Sequence, residues 1–241
     1  MSKETEQSFA PPKLDIIIPP HLQDERLKNA FNTALDENDE SFPDFLWHIL
    51  NNIHTRTAQH AKRVSEVSGL FSQFLGLEEA EIEAIKIAAL LHDIGKIDPW
   101  YYPNGGKTNK NHANIGAEIA ERLGFAEEIV AGIKYHHERR NGTGPNHKKA
   151  GEIPLVAEII RYADIFDRIF SQQKNIFLRK DNNLTKHDLE ELFEKTWQKI
   201  NELDDNKLNL QFLSRFKEFL LEKREKLVEI YSVNNKRAIK K

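Results

Sequence analysis

From Asp44 onward, apolar residues recur three and four apart, and the stripes they form run into histidine or aspartate. Ile53, Val64, Val67 and Phe71 share a face with His60. Ile82, Ile85 and Ala89 lead to His92, Ile129 and Ile133 lead to His136, and Val156 and Ile160 lead to Asp164. That spacing belongs to amphipathic α-helices, and no alternating strand pattern competes with it. The period predicts an all-α chain built as a single helical bundle domain. It also predicts that several helices aim imidazoles and carboxylates inward. Such groups are expensive to bury alone. A metal cluster offsets the cost, because its compact positive charge suits neutral imidazoles and ionised carboxylates.

Glycine and proline punctuate the helical segments, for example at Gly76, Gly95, Gly124, Gly142 and Pro154. Residues 1–43 are expected to form a short, loosely ordered and partly disordered N-terminal arm with Pro11-Pro12 and Pro19-Pro20, and Ile16-Ile17-Ile18 is a strand or extended piece within it. Residues 44–241 form the domain, and its C-terminal helices, within 185–232, read as two long amphipathic segments near Lys186–Ile200 and Leu208–Ile230. The chain has no cysteine, which excludes a disulfide framework and a thiolate metal site. No apolar run approaches the ~20 residues of a membrane span. Met1-Ser2-Lys3-Glu4 does not open a secretory signal, so the cytoplasm is the expected location and no membrane partner is expected. A net charge of −3 gives no push toward a nucleic-acid polymer. The basic residues from Lys223 to Lys241 are a solvated helix end or a contact for polyanions.

His92-Asp93 is the most informative pair. Neighbouring side chains on a helix diverge by ~100°, so both reach one site most easily where the helix ends. Gly95 is placed to end it. An aspartate there can bridge two metals through its two oxygens, and Lys96 would present a point charge to a phosphate. Taken alone, the pair also reads as a helix C-terminus with a polar cap.

With His60 before it and Asp164 after it, the pair resembles the HD superfamily of phosphohydrolases, whose metal ligands follow the order H…HD…D. His112, within Asn111-His112-Ala113-Asn114-Ile115-Gly116, and the run from Tyr135 and His136-His137-Glu138 to Gly144-Pro145 look like its HD-GYP subfamily. That subfamily hydrolyses cyclic di-GMP and related cyclic dinucleotides. The segment from Ile153-Pro154-Leu155 to Asp167 is similar to the helix after its signature loop, and the resemblance runs from about Phe45 to Leu220. It implies one metal on His60, His92, Asp93 and Asp164, and a second on Asp93 as bridge with His112, His136 and His137. The cofactors implied are two divalent transition-metal ions, iron or manganese, while zinc also suits this imidazole and carboxylate set. The implied reaction is attack on phosphorus by a hydroxide bridging the metals, with Asp93 and Lys96 as catalytic residues.

The chain departs from the family pattern in several places. Some members hold a third metal with a glutamate four residues before the first histidine. Here that residue is Arg56, which cannot ligate a cation, so two metals are expected. In the signature loop Asn141 replaces an aspartate and the tyrosine is missing, because Pro145 follows Gly144 directly. Gly142 and Gly144 keep the tight turning. The phosphate-binding run after Asp167 is replaced, leaving Arg168 or Lys174, beside Lys96, to bind substrate. Trp100, Tyr101 and Tyr102 form a lid or a base-stacking surface. Glu138 anchors the loop or supports a ligand, whereas His21, His48, His54, His147 and His187 are core or surface residues.

The expected function is hydrolysis of a cyclic dinucleotide, cyclic di-GMP leading. One alternative is general HD-type nucleotide phosphohydrolysis, which needs neither His112 nor His136-His137. The other is a slow, metal-bound sensor or docking domain. The segment before the first helix is too short for an ordinary sensory domain, so control is expected from a separate regulatory protein, expression level or metal redox state. A homodimer through Phe212, Phe216, Phe219, Leu220 and Leu227 is weighed against packing of that stripe within the bundle.

Overall fold

The computed structural model describes residues 13–14, 25–36, 41–97, 111–178, 185–202 and 208–237. All regular structure among them is helical apart from an isolated Asn141–Lys149 bridge. None of the described helices is long and apolar enough to cross a membrane. The Ile16–Ile18 run, His21 and the Trp100–Lys107 segment lie outside the described residues.

The first described helix, α1 (Glu25–Leu35), falls within the expected N-terminal arm. Leu27, Ala30, Phe31 and Ala34 bury one face, and Phe31 meets Phe45 edge-on at 5.5 Å. Those four residues have helical spacing, so this part of the arm belongs to the bundle. α2 (Phe42–Ile53) starts at Ser41, whose hydroxyl accepts the Asp44 amide, and ends against α3 (Thr55–Leu75). Gly76, at φ 76°, closes α3 in a left-handed cap. Glu78 and Glu81 form the box that opens α4 (Glu79–Leu91), which packs along α3.

A 3-10 turn (Ile94–Ile97) follows α4 and leans on α5 (His112–Arg122), which packs on α6 (Glu127–Tyr135). Gly95 therefore plays a different part from the expected one. Its φ is not positive, but a β-carbon there would collide with the His112 carbonyl oxygen and the Gly116 amide. The glycine lets the turn approach the start of α5 closely enough to bring His112 beside Asp93.

α7 (Leu155–Leu178) crosses α3 and α6, and α8 (Lys186–Asn201) covers it. The second expected C-terminal helix divides at Lys223 into α9 (Leu210–Glu222) and α10 (Arg224–Arg237). The break lets two apolar faces pack in different directions. Phe216 and Phe219 of α9 surround Phe71 of α3 at 4.8 and 5.1 Å, while Leu227, Val228 and Tyr231 of α10 are buried toward α3 and α8. Burying each large apolar side chain contributes about 1.5–3 kcal/mol, which ties the C-terminal helices to α3. Phe216, Phe219, Leu220 and Leu227 are thus taken up inside the bundle, and Phe212 is half-buried against Phe71.

Candidate metal centre

Five elements bring the site together. His60 comes from the second turn of α3, His92 and His136 follow the last residues of α4 and α6, His112 opens α5, and Asp164 lies within α7. The C-terminal ends of α4 and α6 carry partial negative charge toward this point, which favours a cation there.

His92 and His136 are set by the same device. Each Nδ1 bonds the carbonyl oxygen three residues back, Ala89 for His92 and Ile133 for His136, at 2.7 Å in both cases. A ring whose Nδ1–H is given to a carbonyl has its lone pair on Nε2. The Nε2 of His136 is buried and finds no hydrogen-bond partner. Buried polar atoms are seldom left this way, so an orphaned imidazole nitrogen facing other ligands calls for a cation.

The donors gather in three overlapping groups, each with its ligand atoms within 4.8 Å of one another: His60, His92 and Asp164; His112, His136 and His137; and His92, Asp93 and His136. Asp93 sits where the first two meet. Its Oδ2 lies 3.5 Å from His92 Nε2, and its Oδ1 lies 3.2 Å from His112 Nε2. His112 Nε2 and His137 Nε2 are 3.1 Å apart. All seven ligands expected from the sequence are therefore brought together. The donor set, imidazoles and carboxylates without sulfur, fits divalent transition metals.

Electrostatics agree with a site built for cations. Burial opposes the charge on Asp93, but His92, Lys96 and His112 hold its carboxyl well below the usual range. Burial likewise works against Asp164, and His60 and Arg168 outweigh it to keep it ionised. Burial, then the neighbouring His137 and His92, keep His136 neutral. Burial and then His112 pull His137 down to about 3. His60 goes the other way. Burial lowers it, yet its bonds to Asp164 and Asp167 prevail and raise it to about 9. Without metal it carries a proton.

Asp167 is the residue that sequence reasoning quoted without giving a role. Its Oδ2 accepts from His60 Nδ1 at 2.6 Å and from Arg63 Nη2 at 3.0 Å. Its Oδ1 accepts from Arg63 Nε at 2.6 Å and from Tyr231 Oη at 2.7 Å. A carboxylate behind a histidine fixes its tautomer and strengthens it as a ligand. Helical spacing alone offers a signal: Asp167 follows Asp164 by three residues, on the same side of α7.

The centre opens into a cleft of about 940 Å³ lined by Arg56, Lys96, Arg139, Arg161 and Arg168 among others. Lys96 pairs with Asp93, and Arg168 Nη2 lies 3.3 Å from Asp164. Lys174 does not line the cleft. It lies six residues beyond Arg168 along α7, donates to the Tyr231 carbonyl at 3.2 Å, and burial and then Arg63 lower it to about 8. Glu138 is buried and accepts the amides of Asn146 and Lys148, both at 2.7 Å, so it anchors the loop. In that loop Asn141 Oδ1 accepts the Thr143 amide at 3.2 Å, a turn that an aspartate oxygen would make equally. Gly142 takes φ 74°, and a β-carbon on Gly144 would press on Glu138. His48, His54, His147 and His187 belong to none of the ligand groups.

Residues 57–169, which span every one of these ligands, match the HD domain family. The cyclic di-GMP phosphodiesterase response regulator RpfG of Xanthomonas campestris is 33% identical over 160 residues, covering 60% of this chain and 42% of that protein. A cyclic di-GMP phosphodiesterase of Thermotoga maritima is 32% identical over 154 residues, 55% of this chain and 41% of the relative. The 3'3'-cGAMP-specific phosphodiesterase 2 of Vibrio cholerae is 30% identical over 148 residues, 54% of this chain and 28% of the relative. The chain thus spans less than half the length of each. With the H…HD…D order folded into one centre and the domain match running across it, residues 57–169 form an HD-type domain, and His112, His136 and His137 lie within it.

Proposed function

We propose that this chain is a metal-dependent phosphodiesterase that hydrolyses a cyclic dinucleotide, with cyclic di-GMP the first candidate. The observation that carries the reading is Asp93, whose two oxygens face two different imidazole groups. A general HD hydrolase needs only the first group; the presence of His112, His136 and His137 favours the cyclic dinucleotide branch. Relatives named for cyclic di-GMP and 3'3'-cGAMP support the same class.

In this reading His60, His92, Asp93 and Asp164 hold one iron or manganese ion, and Asp93, His112, His136 and His137 hold the other. Arg56 stands where a third ion would need a carboxylate. Two such ions supply Lewis-acid charge for the phosphoryl oxygens and activate water for in-line attack. The chain's own residues do the rest. Asp167 holds His60 in the ligating tautomer, and Ala89 and Ile133 do so for His92 and His136. Lys96 and Arg168, both on the cleft wall beside ligand carboxylates, offset charge that grows on the phosphoryl oxygens. The domain is proposed to extend from α1 to α10, because Tyr231 of α10 completes the set of donors around Asp167.

The test is turnover of cyclic di-GMP, cyclic di-AMP and 3'3'-cGAMP by protein purified without chelators. Hydrolysis of one of them, abolished in His92→Ala and Asp93→Ala, is the expected outcome. A metal-loaded protein that hydrolyses none of the three refutes the reading.

A further inference from the structure

Among the described residues, five lysine and arginine side chains line the cleft, and the structure divides them into two kinds. Lys96 and Arg168 are paired with Asp93 and Asp164. Arg56, Arg139 and Arg161 have no carboxylate partner among the described residues. Arg161 is the most confined of the three. Burial acts against its charge, the Arg139 and Arg168 guanidinium groups add to this, Asp164 offsets only part of it, and its pKa is lowered as a result. Its Nε is buried and has no hydrogen-bond partner.

A guanidinium is a poor choice for such a place unless something anionic arrives. It stays protonated in any protein, so it cannot escape the cost of burial by giving up its proton. Arginine also offers a fork of donors matched to the oxygens of a phosphate. Arg161 lies three residues before Asp164 and seven before Arg168, so all three share one face of α7. The unpaired cations are therefore beside the metal centre and inside the same cleft, whose volume of about 940 Å³ is far more than one phosphate fills. Once Asp93 and Asp164 are committed to metal, the cleft has a still larger excess of positive charge.

We propose that Arg161, assisted by Arg139 and Arg56, forms an anion subsite for a second phosphate of the substrate, the one not being cleaved. The inference rests on the phosphodiesterase reading and narrows it. The cleft selects molecules carrying two phosphodiester groups over mononucleotides carrying one. The selection comes from side chains of α7, the loop after His137 and α3, outside the run that other members use for phosphate.

The experiment uses metal-loaded protein and cleavage-resistant bis-phosphorothioate analogues of the three cyclic dinucleotides, with the phosphorothioate of 3',5'-cyclic GMP as the ligand having one phosphodiester. Binding is measured by calorimetry for the wild type, Arg161→Gln and Arg161→Lys, with metal content and circular dichroism as checks on the centre and the fold. Arg161→Gln is expected to weaken the two-phosphodiester ligand roughly 10- to 100-fold, as for a lost charge-assisted bond, and to leave the cyclic GMP analogue within about twofold. Arg161→Lys should recover part of the loss. An equal loss for both ligands, or none for either, overturns the subsite. If the wild type binds no cyclic dinucleotide, the functional reading falls and inorganic pyrophosphate replaces the analogues. Pyrophosphate binding that Arg161→Gln weakens, with orthophosphate unaffected, keeps the subsite; absence of that difference overturns it.

Discussion

Replacing Asp167 by asparagine keeps the shape of the side chain and removes its charge and one acceptor. Five donor groups converge on the two oxygens: His60 Nδ1, Arg63 Nη2 and, at 3.5 Å, the Ser171 hydroxyl on Oδ2, and Arg63 Nε and Tyr231 Oη on Oδ1. An asparagine turns one of those oxygens into an amide nitrogen facing at least two donors, whichever way it is placed. Asp167 is buried and the Arg63 side chain is only 14% exposed, so the guanidinium is left without its counter-charge where water screens it poorly. Breaking a buried pair from one side costs about 3–5 kcal/mol. The metal centre feels the change through His60, which loses the group that fixes its tautomer. Removing such a support typically weakens metal binding about 10- to 100-fold, or roughly 1.4–2.7 kcal/mol. Urea unfolding in the presence of a chelator reads the first effect, and competition with a chromophoric chelator reads the second. The reasoning fails if Asp167→Asn unfolds at the wild-type urea concentration and retains wild-type metal affinity.

Three further outcomes follow from the same geometry. Tyr231→Phe keeps the ring against Phe170, 4.2 Å away, and removes one bond to a charged group; it should cost about 1.5–3 kcal/mol in urea unfolding and lower metal affinity less than Asp167→Asn does. Gly95→Ala forces the 3-10 turn away from α5, so about 1–3 kcal/mol of stability and one metal of the pair should be lost together; full metal content in a folded variant would contradict this role for the glycine. Metal-free protein should be most stable near pH 6.5. The proton on His60, held to about 9 when folded, stabilises fully below about 6.5 and is lost as pH rises toward 9, at up to ~1.4 kcal/mol per pH unit. His137, pulled down to about 3, resists protonation in the fold, so stability also falls as pH drops from about 6.5 toward 3. Midpoints that keep rising from pH 5 to 9 would contradict the His60 assignment, and midpoints that keep falling over that range would contradict the His137 assignment.

The gathering of the seven candidate ligands was legible because each lies on an apolar stripe or beside its end, and burial of that stripe carries the side chain inward. His60 continues the face of Val64 and Val67, both fully buried, and His136 follows Ile133 on the face that packs against α4. The helical fold was legible for the same reason. What periodicity does not give is the partner. Tyr231 reaches Asp167 from 64 residues away, and only the break at Lys223 turns it inward. Lys174 looked like a substrate contact because it lies where the family has a phosphate-binding run, but α7 continues past the cleft and carries it to α10. α1 was hidden among polar and proline-rich neighbours, although Leu27, Ala30, Phe31 and Ala34 keep the helical period. Arg161 left no mark as a functional residue, since an arginine beside an apolar stripe usually faces water; its burial beside other guanidinium groups is a tertiary fact.

The most direct test of the proposed two-ion centre is elemental analysis of wild-type and Asp93→Ala protein, both purified without chelators and both checked for folding. Two ions of iron or manganese per chain in the wild type, with one or none after removal of the shared carboxylate, is the predicted result. A folded wild-type protein without bound metal would contradict the account.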